Sequence, residues 1–163
     1  MSFSFGVKSL FSPDDDVAAE ILKEVGSAQS SILMMIYGFT LVPLVDLLIA
    51  KHQAGITVQL VLDKTQAAGK TESLQVERLK AAGVDFVIGT SPKAHQIMHE
   101  KGICIDNVHV ITGSYNFSAS AANQVNHCDF IYSKDRADWF TKQFASLRDW
   151  IVTNEPQQPL VKK

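Results

Sequence analysis

The stretch MHEKGICID, residues 98–106, puts a histidine and a lysine two apart at the head of an apolar run. Alternation along a strand places His99, Lys101, Ile103 and Ile105 on one face, with the first two about 7 Å apart along it. An imidazole serves as nucleophile or acid–base group near neutral pH. A neighbouring ammonium adds fixed positive charge. The pair suits an anionic reacting group, and phosphate is the obvious one. Fourteen residues after His99 begins GSYN, residues 113–116. If the two apolar runs pair through a tight turn at Asp106 and Asn107, the second run ends beside His99 and Lys101. Ser114 and Asn116 then bring a hydroxyl and an amide to the same spot.

The elements that must hold these side chains follow from the pattern on either side. Ser12, Pro13 and three aspartates read as a helix start, with a capping hydroxyl, proline in the first turn and acids facing the dipole. That helix is expected to run to about Val25. Residues 32–37 suit a strand covered on both faces. A helix follows to about His52 and closes at Ala54 and Gly55. Residues 56–63 form a branched-residue strand, 64–73 a loop, 73–82 a helix and 84–88 another strand. Strand–helix–strand–helix–strand implies parallel pairing. The second half changes character: a hairpin over 99–112, a helix or long turn over 116–124, and a short strand over 127–132. An amphipathic helix closes the fold over 135–151, with Trp139, Phe140, Phe144, Leu147 and Trp150 toward one face. The expected fold class is α/β, a mixed, mostly parallel sheet flanked by helices on both faces. It forms a single domain over 1–152, followed by a disordered tail over 153–163.

Bulk properties exclude some classes. The 163 residues allow one domain with a real core. A formal charge of −2 does not mark a generally basic protein, so any polyanion must be met by a local patch. Cys104 and Cys128 lie in apolar stretches and read as buried free thiols. Zinc ligation by His95, His99, Cys104, His127 and Cys128 lacks paired spacing, and Cys104 faces away from His99. Residues 31–50 are apolar enough to raise a membrane span, but Gly38, Thr40, Pro43 and Asp46 break the run. No stable membrane association is expected. The start carries no leader pattern, which favours the cytoplasm, although an export signal already removed would leave the same sequence. His52 and His109 read as surface residues, and His95 as lining the site entrance. The NFS sequon at Asn116 is dismissed, since a glycan there would block the site.

The whole of HEKGICID and GSYN resembles the HxKxxxxD…GSxN signature of the phospholipase D superfamily. His99, Lys101, Asp106, Gly113, Ser114 and Asn116 all stand at that family's spacing. The likeness covers roughly Val7 to Trp150, and the opening of the chain and the strand–helix–strand after it look like those of the family's small bacterial nucleases. It implies metal-independent phosphodiester cleavage by double displacement, with no cofactor. His99 would attack phosphorus and form a phosphohistidine. A second histidine would protonate the leaving oxygen and then activate water. Lys101 and Asn116 would hold the non-bridging oxygens with support from Ser114, while Asp106 and Gly113 serve the motif structurally. Because this chain carries a single HxK, the resemblance implies a homodimer with its two-fold axis through the active site.

The sequence departs from that pattern at one place. Small family nucleases carry a glutamate about eleven residues after the asparagine, and here that position is His127. Three readings remain open. His127 orients His99 with Asp129 behind it; or Asp129 takes the glutamate's role; or the site is weakened or retuned. A neutral imidazole stabilises a positive His99 less than a carboxylate would. The expected activity is that of a non-specific endonuclease on DNA, with RNA as the second substrate, gripped through Lys101 and loop lysines such as Lys64, Lys70 and Lys93. No base-stacking pattern of aromatics stands out. The alternatives are a phospholipase, which an apolar rim near Phe39 or Phe117 would favour, and a nucleic-acid-binding dimer that has lost the reaction.

Overall fold

The computed structural model describes residues 6–156. Seven strands form one sheet: β1 (Gly6–Ser12), β2 (Ser31–Ile36), β3 (Thr57–Asp63), β4 (Asp85–Gly89), β5 (Lys101–Ile105), β6 (His109–Gly113) and β7 (Asn126–Tyr132). Their order is β1-β7-β6-β5-β2-β3-β4. Between them lie α1 (Val17–Gly26), α2 (Val42–Gln53), α3 (Lys64–Ala67), α4 (Lys70–Ala81) and a 3-10 turn (Ala119–Asn123); α5 (Lys134–Asn154) closes the chain.

The α/β class and the mixed sheet are as expected, with β2, β3 and β4 parallel. The balance is not. The pairings β2–β5, β5–β6, β6–β7 and β7–β1 are all antiparallel, so the sheet is not mostly parallel. The missed strand β1 explains part of this. Only Leu10 packs on the core and Val7 and Phe11 stay exposed, so the segment has the weak pattern of an edge strand. Ser12 ends that strand and does not cap a helix. The cap of α1 is Asp16, whose carboxylate accepts the Ala19 N–H at 3.0 Å. The expected loop at 64–73 also contains α3 and the first turn of α4; the Asp63 carboxylate caps α3. At the other end α5 runs to Asn154, past the expected boundary, and Glu155 pairs with Lys64. The rest of the expected tail, 157–163, lies outside the described residues.

Each face of the sheet has its own core. Ile32, Met34, Ile36, Leu60, Leu62, Ile103 and Ile105 pack with α1, α2 and α4. Met35, Val61, Val87, Cys104 and Val110 pack with Ala137, Phe140, Phe144 and Ile151 of α5. This is strand alternation made visible, and it explains the continuous apolar run in β2. Each large side chain buried this way contributes about 1.5–3 kcal/mol.

Candidate active site

Register brings the chemistry to one end of the sheet. β5 runs antiparallel to β2 with Lys101 opposite Ile36. The start of β5 therefore meets the carboxyl ends of β2 and β3, a usual place for sites in such sheets. The β5–β6 hairpin turns at Asp106 and Asn107, both at positive φ, and Gly102 pairs with Thr112. β6 thus ends where β5 begins. Gly113 must be glycine: a Cβ there would land on the His127 carbonyl oxygen of β7.

His99 sits just ahead of β5 and is exposed. Its backbone neighbours are pinned on both sides. Met98 N–H donates to Asp63 Oδ2 at 3.0 Å, and Tyr37 N–H donates to the Glu100 carbonyl at 2.8 Å. The imidazole meets the Tyr37 ring edge-on, with centroids 4.5 Å apart and planes at 69°. Lys101 is only 6% exposed. Its Nζ donates to the His99 carbonyl at 2.9 Å and stands 5.0 Å from the Tyr37 ring centroid. Burial pushes the Lys101 pKa down from the ordinary lysine value, with Glu100 and Asp63 opposing the shift. A desolvated ammonium with so few partners is a strong attractor for an anion.

Ser114 is exposed and connects β6 to β7. Its hydroxyl accepts the His127 N–H at 3.1 Å and donates to Asn126 Oδ1 at 3.2 Å. Asn116 packs against Gly38, where an added Cβ would stand 3.3 Å from Asn116 Cγ and Oδ1. Asn116 Oδ1 is buried and makes no hydrogen bond among the described residues, the kind of unmet demand that accompanies function. Asp106, at the far end of the hairpin, is saturated. It accepts Gln29 N–H, Ser30 N–H, Ser30 Oγ–H and Ser31 N–H at 2.8–2.9 Å. Burial works to raise its pKa, but the hydrogen bonds outweigh burial and hold it below the usual aspartate value.

His127 is brought elsewhere. Leu10, Cys128 and Phe130 belong to the core that Ile103 and Ile105 share with α1 and α2. Alternation along β7 then puts Asn126 on that face and turns His127 and Asp129 to the other. His127 is exposed, with its ring centroid 6.2 Å from that of Phe11, and Asp129 accepts the Ser9 hydroxyl at 2.6 Å. Among the described residues neither side chain hydrogen-bonds His99. The residue beside Ser114 is Asn126, one position earlier than sequence spacing suggested.

Four residues of the surroundings escaped sequence reading: Tyr37, Asp63, Gln66 and Glu72. Asp63 is fully buried at the end of β3. Its Oδ1 accepts Thr65 N–H, Thr65 Oγ1–H and Gln66 N–H. Gln66 Nε2 in turn donates to the Tyr37 hydroxyl at 2.9 Å. Glu72 is 3% exposed, and its Oε2 accepts the Phe39 N–H at 2.7 Å. Burial pushes its pKa up to about 7, helped by Asp63 and opposed by that hydrogen bond. A carboxylate ending an apolar strand was the one available signal, at Asp63.

Other expectations are corrected by burial. Phe39 and Phe117 bridge each other inside the core and form no apolar rim. His109 is buried against Tyr132 and Glu24, not on the surface. Cys104 and Cys128 are free and buried. Among the described residues no three His, Cys, Asp or Glu side chains form a metal-binding group, and no helix is long and apolar enough to cross a membrane.

Comparison with known proteins points one way. Residues 21–150 match the family model described as cardiolipin synthase, PLD-like domain. A protein named phospholipase D from Rickettsia prowazekii (strain Madrid E) is 31% identical over 147 residues, covering 86% of this chain and 69% of the relative. The chain covers 62% of its namesake from Rickettsia felis. The mitochondrial cardiolipin hydrolase of Danio rerio is 26% identical over 119 residues, 73% of this chain and 48% of that protein. Among solved structures, the phospholipase D family member Nuc from Salmonella typhimurium superposes with a TM-score of 0.82 at 25% identity. That match covers 95% of this chain and 99% of Nuc. NucT from Helicobacter pylori shares the fold at a TM-score of 0.81 and 20% identity, over 88% of this chain and 95% of NucT.

Proposed function

The chain belongs to the phospholipase D superfamily, and on that premise we propose that it is a metal-independent endonuclease cleaving DNA or RNA through a phosphohistidine. The observation that carries this reading is the pairing of an exposed imidazole, His99, with a buried ammonium, Lys101, and an unpartnered amide oxygen-bearing side chain, Asn116. An imidazole nitrogen of His99 attacks phosphorus; the N–P bond forms as the ester P–O bond breaks. Lys101 and the Asn116 amide N–H groups take the charge of the non-bridging oxygens, and Ser114 fixes the β6 end that carries Asn116. The departing oxygen takes a proton from a second imidazole. That imidazole then removes a proton from water, whose oxygen displaces His99 from phosphorus.

The constellation of one chain contains one imidazole, so the second comes from the partner subunit of a homodimer. An unpaired stretch of sheet supports this. α5 packs on β2, β4, β5 and β6, while Val7, Phe11 and His127 on β1 and β7 stay exposed. A second copy covering that strip would bury apolar surface and the β1 edge together. Nucleic acid is favoured over lipid by the likeness to small family members. The competing phospholipase reading draws on the names of the Rickettsia relatives and on the exposed Phe11 and Val125.

The test is incubation of single- and double-stranded DNA, RNA and phospholipid vesicles with the protein in excess EDTA, beside His99→Ala. Cleavage of nucleic acid that vanishes in the variant supports the proposal. Cleavage of vesicles alone supports the phospholipase. Salt-sensitive binding of DNA without turnover of any substrate supports a binding dimer.

A further inference from the structure

The family pattern orients its histidine with a carboxylate, and no carboxylate of the described residues hydrogen-bonds the His99 ring. What touches that ring is Tyr37. An exposed imidazole free to turn about its side-chain torsions would spend little time aimed at phosphorus. The Tyr37 ring, edge-on at 4.5 Å, restricts it. The same ring has the Lys101 ammonium at 5.0 Å. One aromatic plate therefore sets the spacing between the group that attacks and the charge that receives the phosphate.

The plate is itself fixed. Its hydroxyl is held by Gln66, whose backbone N–H is held by Asp63. Asp63 also holds the Met98 N–H, one residue before His99. Tyr37 closes the loop through its own N–H to the Glu100 carbonyl, one residue after His99. Backbone and ring of the reacting histidine are thus referred to one fully buried carboxylate.

We propose that Tyr37 is the positioning residue for His99, kept in place by Gln66 and Asp63. The inference rests on reading His99 as the reacting group, and its test separates the two. Turnover of bis(para-nitrophenyl) phosphate is measured for wild type, Tyr37→Phe, Tyr37→Leu and His99→Ala, with carbon–proton NMR of the histidine rings on each. Removal of the ring in Tyr37→Leu lowers kcat by at least about tenfold while KM stays within about twofold. Tyr37→Phe keeps the plate but loses the Gln66 hydrogen bond, and lowers kcat by less than Tyr37→Leu does. The His99 ring resonances move further in Tyr37→Leu than in Tyr37→Phe. Should Tyr37→Leu fail to fold, Tyr37→Met fills the space with a flexible chain and carries the same expectation. Wild-type kcat together with unmoved His99 resonances in the ring-less variant overturns the proposal. Equal turnover by His99→Ala and wild type overturns the reading of His99 instead, and the resonances still decide whether Tyr37 fixes the ring.

Discussion

The two ends of the β5–β6 hairpin hold polar side chains in opposite ways. At the turn, Asp106 receives four hydrogen bonds, and the residue that carries it adopts the left-handed backbone of a tight turn. At the open end, among the described residues, Lys101 is buried with a single hydrogen-bond acceptor and Asn116 Oδ1 has no partner. Saturated polar groups stabilise a fold; groups left short of partners cost stability unless a ligand completes them. On the proposed reading, that difference marks the end of the hairpin that meets substrate, even though both ends belong to one sequence motif.

Paired substitutions break this comparison most directly. His99→Ala is expected to reduce turnover at least about a thousandfold and leave the melting temperature within error. Asp106→Ala should do the reverse, costing about 3 kcal/mol in denaturant unfolding because three backbone N–H groups lose their acceptor. A loss of turnover in Asp106→Ala larger than its loss of folded protein would erase the distinction between the ends.

Glu72 sharpens the same point beneath the site, where it holds the Phe39 N–H beside Gly38 and Asn116. Its folded pKa, about 7, lies above the ordinary value of 4.5. Between those pH values the folded protein keeps a proton that the unfolded chain has released. Its contribution is therefore whole below pH 4.5 and is lost as pH rises toward 7, a loss of about 3 kcal/mol by linkage. Glu72→Gln should flatten that part of the stability–pH curve and gain about 2 kcal/mol at pH 8. A slope unchanged by the substitution would mean that the carboxyl titrates normally.

The smallest effect is expected at His127. With its side chain on the opposite face from Lys101, His127→Ala should keep kcat within about threefold in the EDTA assay. A loss beyond tenfold would return His127 to the chemistry, by way of the partner subunit.

Much of this was legible from residue order. Spacing alone put Lys101 in line with Ile103 and Ile105, and the Asp106–Asn107 turn returned the end of β6, with Ser114 just beyond it, to the start of β5. Strands β2 to β4 showed themselves because both faces are covered and the apolar runs are continuous. β1 did not, because an edge strand whose one core contact is the half-buried Leu10 has little pattern to show. His127 shows a different limit of residue counting. Counting eleven residues from Asn116 crosses the turn at Ala119–Asn123, and one residue more or less there turns every following side chain to the other face.

Local order, then, determined which groups stand together as the candidate site, because a two-residue repeat and a tight turn act over a few ångströms of chain. Only the tertiary structure decided what surrounds them. Tyr37, Gln66, Asp63 and Glu72 come from three other segments: Asp63 stands 35 residues from the Met98 N–H it accepts, and Glu72 33 residues from that of Phe39. Long-range register, set by the sheet as a whole, is what places the buried Asp63 carboxylate on the backbone beside His99, and no short-range pattern encodes it.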